Sequence, residues 1–147
     1  MMSRSNLDLY EADILQWSEH QAAQLRQVAA GKPPNEAPDW ENIIEEIESV
    51  GNEQLHAVES FLVQALAHDL KCEGWPLARD VPHWRAEARR FRGDAASRFA
   101  PSMRQRIDMA KLYRRALNAI PERMDDQPPL PLPEVCPVTL DEMLAEA

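Results

Sequence analysis

The placement of twelve prolines does most to limit the folds open to this chain. None falls within residues 39–75, 83–100 or 102–120; they gather in the short joints between these stretches and in the tail. Proline removes a backbone donor and clashes with the preceding turn, so regular structure belongs in the stretches that lack it. Those stretches carry apolar residues at spacings of three and four, the period of a helix with one buried face. No strand alternation of useful length and no internal repeat is present. Four glycines also argue against an all-β chain dependent on tight turns. The sequence therefore predicts an all-α fold: a single domain over 1–147, built as an antiparallel bundle of four main helices. A Pro-rich extended C-terminal strap and a short terminal helix complete it.

The first helix is placed at 8–30, with Tyr10, Ile14, Trp17, Gln21, Leu25 and Val28 on one face. Gly31, followed by Pro33 and Pro34, supplies its stop. Asp39 is a candidate cap for a long acidic helix over 39–73. Its seam runs through Ile44, Ile47, Gly51, Gln54, Val58, Phe61, Ala65, His68 and Cys72, and its phase survives Gly51. A glycine inside a helix costs ~1 kcal/mol against alanine, which close approach by a crossing helix would offset. A basic third helix is placed at 81–100, with Trp84, Ala88, Phe91, Ala95 and Phe99 inward. A fourth at 102–120 opens on a Ser102/Gln105 capping box. In the tail, 121–147, the run from Pro128 to Pro133 is extended, with Leu130, Leu132 and Val135 as anchors. Thr139 and Glu142 form a second capping box.

At 147 residues such a domain buries ~70% of the surface its unfolded chain exposes, a sufficient core without metal or disulfide staples. No apolar run approaches the ~20 residues of a membrane span, and no secretory leader is visible. Cys72 and Cys136 read as two buried thiols, and the compartment as the cytoplasm. Charge is divided sharply. Residues 1–73 carry four basic side chains against fourteen acidic, 74–123 carry twelve against five, and 124–147 carry six acidic alone. The two opposed blocks are expected to face one another within the molecule.

The candidate charge-pairing or interaction residues follow from that division. Glu41, Glu45 and Glu48 share a face of the long helix, where their repulsion calls for a nearby cation. Arg85, Arg89 and Arg92 share a face of the third helix and are the expected partners. Unpaired, the carboxylates could take a divalent metal or a basic protein, and the arginines could contact phosphate. His68 lies in the apolar seam with Lys71 three residues on. It reads either as a general base or, more simply, as an imidazole bonded to a backbone carbonyl or a glutamate, with Lys71 set against the helix dipole. Glu53-x-x-His56 has the spacing of di-iron bundles, but its only possible companion, Asp80-x-x-His83, lacks the second glutamate. No phosphate loop, nucleophile elbow or paired Cys-x-x-Cys is present. No catalytic residue, cofactor or metal is assigned.

Leu9-Tyr10-Glu11-Ala12-Asp13-Ile14, Trp17 and the block from Glu41 to Gly51 resemble a bacterial family catalogued as domain of unknown function 29. His68-Asp69-Leu70-Lys71, Trp84, Pro101-Ser102-Met103, Tyr113 and Cys136-Pro137-Val138-Thr139 extend the likeness over nearly the whole chain. Asp69 departs from the apolar residue usual after the histidine, and Val50 from the commoner leucine. The resemblance implies a small helical bundle and no agreed reaction. The function expected is a noncatalytic cytoplasmic interaction module, engaging a protein partner or a second copy of itself. A nucleic-acid-associated protein, or a metal-dependent hydrolase using Glu41, Glu45, Glu48 and His68, are the alternatives.

Overall fold

A computed structural model describes residues 9–145, and every regular element among them is helical. The main helices are α1 (Ile14–Ala29), α2 (Trp40–Gly74), α3 (Val81–Arg98) and α4 (Met109–Ala119). A 3-10 turn, Pro101–Met103, precedes α4, and a short α5, Leu140–Ala145, closes the described chain. The all-α class is as the periodicity predicts. Backbone contacts group the chain into two compact units, one ending at Asn52 and the other beginning at Glu53.

Helix ends follow local chemistry. The predicted first helix is interrupted at Asp13, whose side chain accepts from the Gln16 amide and starts α1 anew. Residues 9–12 form a separate helical turn, and residue 8 lies outside the described residues. At its far end Gly31 takes φ +73°. Its amide bonds to Val28 O and that of Lys32 to Gln27 O, the two bonds of a Schellman cap. Residues 99 and 100 leave α3 because Phe99 and Ala100 turn extended ahead of Pro101, whose ring excludes the helical conformation before it. The fourth helix starts at Met109 and not at 102. Asp108 caps it by accepting from the Ala110 and Lys111 amides, leaving Ser102 in the 3-10 turn. The Thr139 cap is present, its hydroxyl accepting from the Glu142 amide at 3.1 Å.

In the first unit the buried face of α1 is Trp17, Gln21 and Gln24, with Ile14 and Val28 exposed, in place of the predicted Ile14–Val28 stripe. Glutamines win because the following linker needs acceptors for its amides. Gln21 Oε1 accepts from Asp39 N, Gln24 Oε1 from Glu36 N and Gln27 Oε1 from Asn35 N.

The core of the second unit gathers Val58, Leu62, Ala65, Leu66 and Leu70 of α2 with Ala95, Leu112, Ala116 and Met143. Each large side chain buried there contributes ~1.5–3 kcal/mol before entropy is subtracted. The strap is held by hydrogen bonds more than by the expected anchors: Leu130 and Val135 are exposed and Leu132 is half-buried. A proline-rich segment has carbonyls to satisfy and few N–H groups to offer. Trp75 Nε1 donates to Gln127 O at 3.0 Å and Tyr113 Oη to Pro133 O at 2.6 Å. Leu130 N donates to Gly74 O at 2.9 Å. The strap is entered through a tight turn in which Asp125 and Asp126 both take positive φ, and Met124 and Gln127 exchange backbone bonds.

Candidate functional site

Asp39 organises the first unit. Its side chain is fully buried, and Oδ2 accepts from the Trp17 indole at 3.1 Å and from the Asn42 amide at 2.8 Å. Its carbonyl opens the ladder of α2 by accepting from Ile43 N. The predicted cap position is therefore occupied, but the carboxylate serves two side chains and not the helix amides. Tyr10 packs edge-on against Trp17 and donates to Glu46 Oε1 at 2.5 Å. That bond pushes the phenol up to about 12.

With Asn42 and Glu46 engaged by these partners and Ile43 buried, another face of α2 is left bare. Trp40, Ile44, Ile47 and Val50 are 49%, 54%, 68% and 62% exposed. Trp40, Ile44 and Ile47 follow one another at steps of four and three, so they form a continuous stripe. Glu41, Glu45 and Glu48 run alongside, one residue on from each, all exposed. Among the described residues these three carboxylates make no ion pair.

In the second unit the long helix does meet the basic one, but through Asp69 and Arg92, a pair that the helical spacing of the charges does not predict. Other arginines are held elsewhere. Arg90 bonds Glu87 at 2.7 Å and lies over Phe91, which draws the Glu87 carboxyl below its ordinary value and raises the guanidinium. Arg98 covers Phe61, and Arg104 covers Phe99 while pairing with Asp141. Arg85 and Arg89 are exposed and make no ion pair among the described residues.

His68 is half-buried, its Nδ1 donating to Gln64 O at 2.7 Å and its ring 5.6 Å from that of Phe91. A carbonyl accepts only, so this bond places the proton on Nδ1. Lys71 stands over the Trp84 ring at 5.9 Å, a cation–π contact in place of the simple dipole role. Beside them a cavity of about 370 Å³ is lined by Asp69, Cys72 and Glu73 of α2, Arg85 and Arg92 of α3, and Tyr113 of α4. Burial pushes the Cys72 thiol up, against the pull of Arg85, and burial likewise raises the Tyr113 phenol. Both cysteines are free thiols.

The profile of the Domain of unknown function DUF29 matches residues 9–147. The chain belongs to this family. An α-helical protein of unknown function from Rhodospirillum rubrum ATCC 11170, solved at 1.45 Å, is 27% identical with a TM-score of 0.61, over 92% of this chain and 88% of the other. No curated protein matches.

For this DUF29 chain, the residues singled out by sequence divide between the two units. Glu41, Glu45 and Glu48 lie on the bare face of α2, while Arg85 and Arg92 line the cavity and Arg89 faces solvent. Among the described residues no three acidic, histidine or cysteine groups converge as metal ligands. Glu53, His56, Asp80 and His83 are all exposed. No described helix is long and apolar enough to cross a membrane. Asp39, Glu73 and Tyr113 were not legible as site residues; the one available signal was the recurrence of Gln21, Gln24 and Gln27 along α1.

Proposed function

We propose that this chain is a noncatalytic cytoplasmic interaction module whose docking face is the first half of α2. The observation that carries the reading is the bare stripe of Trp40, Ile44 and Ile47 with an unpaired carboxylate band at its edge. Apolar surface of this kind marks contact with another macromolecule. An acidic border selects the partner by charge, favouring a basic amphipathic helix that lays its apolar residues on the stripe and its lysines or arginines against Glu41, Glu45 and Glu48. Electrostatic complementarity of this sort speeds encounter and excludes acidic competitors.

The test is fluorescence anisotropy of labelled helical peptides, one basic and amphipathic and one with the same apolar residues and acidic flanks. Expected are binding of the basic peptide alone, weakening with salt, and its loss in Ile44→Asp/Ile47→Asp. Equal binding of both peptides, or binding untouched by the double substitution, refutes the reading. A dimer in sedimentation velocity that the same substitution dissolves would replace the basic partner by a second copy. A second reading rests on exposed Arg85 and Arg89: nucleic-acid association, which requires RNA or DNA affinity that falls steeply with salt.

A further inference from the structure

The cavity beside Cys72 in the second unit holds two charges that form no ion pair among the described residues. Its volume, about 370 Å³, lies within the ~300–1,000 Å³ range of small-molecule sites. Asp69 and Arg92 enter it as an ion pair and offset one another. Glu73 from α2 and Arg85 from α3 line the same cavity, and neither forms an ion pair among the described residues. Cys72 lines the same wall, and the two charges share this space without an ion pair between them among the described residues. Leu70 and Val138 give the cavity an apolar side.

We infer that this cavity binds a small aliphatic amino acid, its ammonium group on Glu73, its carboxylate on Arg85 and its side chain against Leu70 and Val138. The physical reason is that neither charge can be answered alone at no cost. A simple anion on Arg85 meets the Glu73 carboxylate, and a simple amine on Glu73 meets the Arg85 guanidinium. A zwitterion satisfies both, and it adds no net charge to a cavity whose two acids and two bases already cancel. The site lies within the second unit and is independent of the docking face on the first.

The experiment is an amide chemical-shift titration of the full chain with leucine, leucinamide and 4-methylpentanoate. The amide lacks the carboxylate, and the acid lacks the amine. Leucine is expected to bind and to shift amides around Glu73, Arg85 and Val138, with each analogue at least about tenfold weaker. Arg85→Gln should erase the preference for leucine over leucinamide, and Glu73→Gln the preference over 4-methylpentanoate. Both side chains are solvent-exposed, so the variants keep the fold, and unchanged spectra elsewhere verify it. Arg89→Gln, on the same helix but outside the cavity, should bind as the parent does. Three results overturn the inference: no shift from leucine or any other aliphatic amino acid at about 10 mM, retention of parental affinity in both variants, or 4-methylpentanoate binding as tightly as leucine.

Discussion

Gly74→Ala is expected to loosen the strap from the end of α2. Gly74 is buried as the last residue of that helix, and a Cβ placed on it would stand 2.9 Å from Pro129 Cβ, 3.6 Å from Pro129 Cα and 3.7 Å from Leu132 Cδ2. Pro129 Cβ belongs to a ring and cannot swing aside, so the strap itself must shift. Overpacking of this kind costs ~1–3 kcal/mol. The Leu130 N to Gly74 O bond is strained in the same movement, and a bond of its type contributes ~0.5–1.5 kcal/mol net. Against this stands a helix-propensity gain of at most ~1 kcal/mol, reduced at a helix end. The net expectation is a destabilisation of about 1–3 kcal/mol.

Gly51→Ala is the control, since a Cβ there meets none of the described residues within 4 Å and the residue is exposed in mid-helix. Among the described residues no helix makes the close approach expected at this position, so the alanine should stabilise by ~0.5–1 kcal/mol. Urea titration gives both signs, and hydrogen exchange at the Leu130 amide reports the strap directly. A Gly74→Ala protein with the parental midpoint and an equally protected Leu130 amide would refute the packing argument.

Asp39→Ala strands the Trp17 indole and the Asn42 amide, each worth ~1–3 kcal/mol when buried without an acceptor, and should lower the urea midpoint of the first unit by about 2–4 kcal/mol equivalent. An unchanged midpoint would mean water replaces the carboxylate. Tyr10 titrates near 12 in the fold against 10 when unfolded, so its contribution to stability is complete below pH 10 and lost as pH rises toward 12. The stability difference between the parent and Tyr10→Phe should therefore shrink across that window, and phenolate absorbance should develop later in the native protein than in denaturant. Asp126, at φ 64° and paired only through an exposed 3.7 Å contact with Arg123, should accept glycine with a gain of ~0.5–1 kcal/mol, because the left-handed conformation costs glycine nothing; a loss measured by urea titration would mean that the Arg123 pair outweighs the backbone term.

What the sequence by itself determined is the inventory of helices and several of their ends. Proline positions, Gly31 as a left-handed cap, the Thr139 cap and the phase of Val58, Phe61 and Ala65 are local signals, each acting within a turn or two of chain. The same seam, continued back to Ile44 and Ile47, predicted burial and met solvent, because periodicity shows which residues share a face and not what covers it. The tertiary structure alone decided that Asp69 pairs with Arg92, since partners twenty-three residues apart on two helices have no local pattern to announce them. It likewise turned Gln21, Gln24 and Asp39 inward. Burying an amide or a carboxylate becomes favourable only where donors from distant chain arrive to meet it, and that meeting is a property of the fold.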